Sequence, residues 1–190
     1  MILDVFKDLS ERLNEHLKIA FKLPEDLVEL VSLGQDMDSE TFQNKVVLSL
    51  INIERETAMG IQVNRKQLEP NLFKKMNPVW HLNLTFILAS ISNQKQYSQS
   101  LKLLSSSLKF FQNENTFNIK LNESEEQIIR ITVEPMNVTY QEMSNIWSVL
   151  GGKYYPSLIG KIRMITIDSN QVSAIERSSD NIIAKTENIE

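Results

Sequence analysis

At 190 residues the chain can bury roughly 70% of its unfolded surface, so it needs no disulfide or metal staple, and with no cysteine it has neither disulfides nor thiolate chemistry. Twenty basic against twenty-four acidic residues leave a net charge of −4, which offers no general attraction to a nucleic-acid backbone. An apolar share of 42% with only 5 Gly and 5 Pro excludes long low-complexity stretches and predicts a folded soluble domain.

Asp4, Lys7 and Asp8 interrupt the opening residues where a secretory signal would need an apolar run. Ile2, Phe6, Leu9, Leu13, Leu17 and Ala20 instead recur at three- and four-residue steps, the pattern of an amphipathic helix. Pro24 closes it, because proline holds the preceding residue away from helical geometry and has no amide to donate. A short strand is expected over residues 27–33, then a solvated turn carrying Asp36, Asp38 and Glu40. That turn lacks the glycine and the twelfth-position glutamate of a calcium loop. Residues 45–54 are dense in Val, Leu and Ile, which predicts a strand buried on both faces.

Residues 55–77 turn polar and basic, with Arg55, Arg65, Lys66, Lys74 and Lys75 and no clear apolar period. An excursion of this length, as a loop or a long hairpin extension, is a candidate contact surface. Trp80, Leu82, Leu84, Phe86 and Leu88 then alternate with more polar neighbours and predict a strand with one apolar face. Residues 79–92, the longest uncharged apolar stretch, fall short of the ~20 residues of a membrane helix. Tyr97, Leu101, Leu104, Leu108 and Phe111 share one helical stripe, expected to face the core. Residues 128–135 alternate again as a strand. Thr139 and Glu142 match a capping box opening a helix that carries Met143, Ile146, Trp147 and Leu150 inward and stops at Gly151 and Gly152. A last strand spans residues 161–168. Residues 169–190 hold isolated Ile182, Ile183 and Ile189 among polar residues, and are expected to form a flexible tail or partner-binding arm.

The resulting fold class is α/β (α+β), a mixed sheet of four to five strands packed by three helices, with residues 1–168 as the domain and 169–190 as its tail. His16 and His81 have no second ligand at metal-binding spacing, the five glycines are too scattered for a phosphate loop, and no nucleophile–base set can be nominated. No catalytic residue, cofactor or metal is expected.

Three stretches, residues 45–54, residues 77–84 and the run from Trp147 through Gly151, Gly152, Lys153, Tyr154 and Tyr155 to Ser157, resemble the N-terminal domain of the tail-terminator or cap protein of antifeeding-prophage-type contractile injection systems. The likeness includes the opening Ile2, Leu3, Asp4 and Val5 and the closing residues 161–168. It implies a phage tail-terminator-like fold and a structural role as a hexameric ring on the last layer of inner tube and sheath, fixing particle length. The implied partners are further copies of the chain, sheath and inner-tube subunits, and a second cap protein, with neither nucleic acid nor a membrane span. Such a chain is made in the cytoplasm and joins a particle that lysis can release. On that reading Arg55, Arg65, Lys66, Lys74, Lys75, Ile182 and Ile183 are the candidate partner-interface residues. The alternative is a soluble assembly adaptor or chaperone for tube and sheath subunits; an enzyme is disfavoured by the absence of site chemistry.

Overall fold

A computed structural model describes residues 1–34, 41–56, 65–69, 72–76, 79–121, 127–167 and 172–177. The turn carrying Asp36, Asp38 and Glu40, parts of the 55–77 excursion, and the tail isoleucines Ile182, Ile183 and Ile189 therefore lie outside the described residues. The chain divides into two compact units, one formed by Met1–Glu56 with Leu82–Ile165 and the other by Thr57–His81 with Thr166–Glu190.

The larger unit is built on a six-stranded sheet. Its elements in chain order are helix α1 (Ile2–Phe21), strands β1 (Val28–Leu30) and β2 (Lys45–Arg55), strand β5 (Trp80–Ile91), helix α2 (Tyr97–Asn113), strands β6 (Thr116–Leu121) and β7 (Gln127–Pro135), helix α3 (Tyr140–Val149) and strand β8 (Ser157–Ile167). The smaller unit contributes β3 (Arg65–Glu69), β4 (Leu72–Met76) and β9 (Val172–Arg177). In the six-stranded sheet the order is β1-β2-β5-β8-β7-β6. β1 runs parallel to β2, whereas β2 pairs antiparallel with β5, β6 with β7, and β7 with β8, so the sheet is mixed, as the sequence predicts. It has more strands than the four to five expected. The added one is β6, whose short alternation of Phe117, Ile119 and Leu121 follows directly on a helix and pairs residue for residue with β7.

Period-two alternation divides the core into two layers. Val46, Leu48, Leu82, Leu84, Phe86 and Leu88 join the first apolar cluster, with α1 and α2. Val47, Ile87, Ala89 and Ile91 join the second, with Trp147 of α3. β5 is thus covered on both faces, and every residue from Leu82 to Ile91 is buried, where the sequence pattern suggests a single apolar face. The reason is its central place in the strand order. β2 is covered on both faces only over Val46–Ser49 and becomes largely exposed beyond its bulge near Ile51, which corrects the expectation of burial along its whole length.

α1 buries Val5, Phe6, Leu9, Leu13 and Leu17, each worth about 1.5–3 kcal/mol before entropy is charged. Ala20, expected on that face, is exposed, and Val5, which the spacing left out, is buried. Asn14 ties this helix to the sheet: its Oδ1 accepts the Leu27 amide at 2.8 Å and the Val28 amide at 3.3 Å, setting where β1 begins. Phe86, Phe110, Phe111 and Phe117 form an aromatic group in the first cluster, with centroids 5.1–6.5 Å apart in the tilted, stacked and edge-to-face pairs that their quadrupoles favour.

α2 is turned only in part as its apolar spacing suggests: of the expected stripe Phe111 is buried and Leu104 packs partly buried against the first cluster. It buries Ser100, Leu103, Ser107, Phe110 and Phe111, leaving Tyr97, Leu101 and Leu108 exposed. The serines can sit inside because their hydroxyls donate to carbonyls, Ser100 to Ser90 at 3.2 Å and Ser107 to Leu103 at 2.9 Å. Their small size suits close packing of helix on sheet.

Candidate functional site

The basic residues singled out in the sequence are brought together in part. β3 and β4 pair antiparallel, with Arg65 opposite Lys75 and Lys66 opposite Lys74, and β4 pairs on its other edge with β9. Four cationic positions thus occupy two directly opposed pairs. Like charges at opposed positions disfavour the ladder unless counter-charges arrive from elsewhere. β9 itself lies within the stretch read as a tail, with Ala174 opposite Lys75 and Ile175 opposite Lys74. Arg55 belongs to the larger unit, where it ends β2 and is exposed.

In the larger unit α3 presents a second surface. Thr139 accepts the Glu142 amide through its hydroxyl at 3.3 Å, and the Glu142 carboxylate accepts the Thr139 amide at 2.7 Å, completing the capping box read in the sequence. The Thr139 amide, then its hydroxyl, hold the Glu142 carboxyl below its usual pKa. At the other end Gly151 and Gly152 adopt φ of 103° and 77°, and the Gly152 amide closes the helix onto the Trp147 carbonyl at 2.7 Å. Trp147 packs edge-on to Tyr154 and Tyr155, both at 5.8 Å. A groove of about 730 Å³ runs beside the helix, lined by Val138, Tyr140, Met143, Trp147 and Tyr154 among others. Sequence reasoning places Met143 and Trp147 inward correctly, yet gives no sign of the groove, because Tyr154 reaches it from beyond the helix stop.

His16 of α1 bridges to α2, its Nε2 lying 3.2 Å from the Ser106 hydroxyl and its ring tilted against Phe110. Among the described residues no group of three His, Asp or Glu side chains could hold a metal, and no helix is long and apolar enough to cross a membrane.

Residues 4–179 match the family model described as the Pvc16 N-terminal domain. The chain belongs to that family. The matched span takes in both units, including β3, β4 and β9. Two solved structures are similar in fold to this chain. One is the sheath/tube terminator of an extracellular contractile injection system, PVC, in its extended state, at 12% identity and a TM-score of 0.62 over 100% of this chain. The other is the tube-terminating cap of the anti-feeding prophage, at 14% identity and a TM-score of 0.50 over 90% of this chain. The chain spans 64% and 60% of the lengths of those two proteins. A search of the curated proteins finds no match. At these identities the likeness establishes the fold, a mixed α+β architecture with three helices among the described residues, shared with terminator proteins.

Proposed function

We propose that the chain is a structural cap of a contractile injection system, forming a ring, taken as a hexamer, that ends the inner tube and sheath and fixes particle length. The observation that carries this reading is the alignment of the whole chain with a sheath/tube terminator at a TM-score of 0.62, joined to family membership over residues 4–179. The chain works by docking and not by turnover. A ring repeats each protomer contact around its axis, so individually modest interfaces add up to stable attachment. Its partners are sheath and inner-tube subunits, in a particle assembled in the cytoplasm and released outside the cell.

The positions Arg65, Lys75, Lys66 and Lys74, opposed in two pairs on β3 and β4, and Arg55 are the partner contacts of this reading. Ile182 and Ile183 add an apolar anchor. Electron microscopy of particles from a strain lacking the chain tests the proposal. Tubes of abnormal or uncontrolled length, restored to normal by the wild-type chain, are expected. Particles of normal length with ordinary ends would overturn it, and absence of the chain from intact wild-type particles would favour the adaptor reading.

A further inference from the structure

β6 stands at the end of the strand order, so among the described residues one of its edges has no strand beside it. Which main-chain groups face that edge follows from the register. The Val133 amide donates to the Asn115 carbonyl at 2.7 Å, and in an antiparallel ladder such bonded positions alternate with unbonded ones. Phe117, Ile119 and Leu121 therefore turn their N–H and C=O groups to β7, whereas Thr116, Asn118 and Lys120 turn theirs outward. An outward row of this kind is a template for strand addition, which is held by main-chain groups. α1 meets this edge, where Arg12 Nη2 donates to the carbonyl of Asn118, the middle residue of the row, at 3.4 Å. The guanidinium is held in place from two sides: its Nε donates to Asp8 Oδ2 at 2.6 Å, and its carbon stands 6.0 Å from the centre of the Phe117 ring. Two residues further along α1, Asn14 accepts the Val28 amide of β1, the other terminal strand. One helix thus serves both ends of the sheet.

We infer that Arg12 guards the outer edge of β6: anchored by Asp8, it occupies the Asn118 carbonyl and keeps a second copy of the chain from adding its own β6 there. The inference does not depend on the cap reading. The excluded strand is a second copy's because the row is self-complementary. In an antiparallel pair centred on Asn118, Asn118 faces Asn118 and Thr116 faces Lys120. All three outward residues of each copy would then exchange both bonds, with no like charges opposed. Phe117 and Ile119, buried on one side of β6, would carry their apolar face across the join. Arg12 stands at the centre of that pair, so one occupied acceptor interrupts the ladder at its midpoint. A charged side chain laid on an open edge is a common means of blocking such pairing.

Two variants of the full chain test this. Arg12→Met keeps an unbranched side chain over Phe117 and removes the donor, whereas Asp8→Asn keeps Arg12 and weakens its anchor. Each is made alone and with Asn118→Pro, and followed by sedimentation velocity and amide hydrogen exchange over a range of concentrations. Proline is compatible with position 118 because that amide faces away from β7, and it bars a new strand from pairing at the centre of the row. Arg12→Met is expected to self-associate at a concentration lower than the wild type by on the order of tenfold or more, with the Asn118 and Lys120 amides gaining protection as it does. Asp8→Asn should move in the same direction by a smaller factor, and Asn118→Pro should return both to wild-type behaviour. Association and protection equal to the wild type in both variants would overturn the inference. So would association that survives Asn118→Pro, because another surface would then be responsible. If Arg12→Met loses the wild-type circular dichroism spectrum, Asp8→Asn with and without Asn118→Pro decides on the same readings.

Discussion

Gly160 of β8 lies against the ring of Phe86 on β5: a Cβ added at position 160 would stand 2.3 Å from Phe86 Cζ and 2.6 Å from Cε1. Phe86 is fully buried in the first cluster and packs on Phe111, so its ring has nowhere to withdraw. Gly160→Ala should therefore destabilise by about 1–3 kcal/mol, as overpacking of a filled core does. Urea unfolding of Gly160→Ala, Phe86→Leu and the double variant checks this. The double variant should be more stable than the sum of the two losses implies. Strict additivity would mean that the two residues do not compete for the same space.

Asn14 holds the amides of Leu27 and Val28 together with the Asp26 side chain. Replacing it with alanine leaves two partly buried donors without that acceptor, a loss of about 1–3 kcal/mol. Hydrogen exchange at Leu27 and Val28 should speed up more than in the rest of the sheet. Unchanged protection at both amides would refute the role given to Asn14.

Lys22 ends α1 in the left-handed region, at φ 54° and ψ 40°, with its amide bonded to the Lys18 carbonyl. A side chain there is strained where glycine is not, so Lys22→Gly should stabilise the protein by about 1 kcal/mol, read as a rise in Tm. A fall in Tm would show that the αL cap carries no strain.

Glu142 is held below its usual pKa by the Thr139 amide and hydroxyl, and Asp26 by hydrogen bonds from Lys18 and then Asn14. A carboxyl whose folded pKa is depressed contributes stability that is fully present above its unfolded value and is lost as pH falls through the folded one. Acidification from neutral pH into and below the ordinary carboxyl range should thus weaken the fold progressively. The pH dependence should be shallower in Glu142→Gln, and Thr139→Ala should cost about 1 kcal/mol at neutral pH. A Glu142→Gln profile that overlays the wild type would show that the capping carboxylate is not linked to folding.

How far the sequence carries depends on whether a signal is local. The α3 capping box, its glycine stop and the inward Trp147 are local, and all are found in the structure. α2 is different, because it has two apolar stripes, and periodicity alone cannot say which faces the sheet. The choice is made by Ser100 and Ser107, whose polar names hide the fact that their hydroxyls are satisfied by nearby carbonyls. The α3 groove was illegible for a related reason, being assembled from residues on either side of a helix stop. The opposed cationic pairs of β3 and β4 depend on a register that composition does not encode.

Locating the chain in intact particles tests the central claim most directly. With the wild-type chain carrying a small electron-dense label, the account predicts label at one end of each tube, in the number of copies that a single ring holds. Label spread along the sheath, or none on particles of normal length, would contradict it.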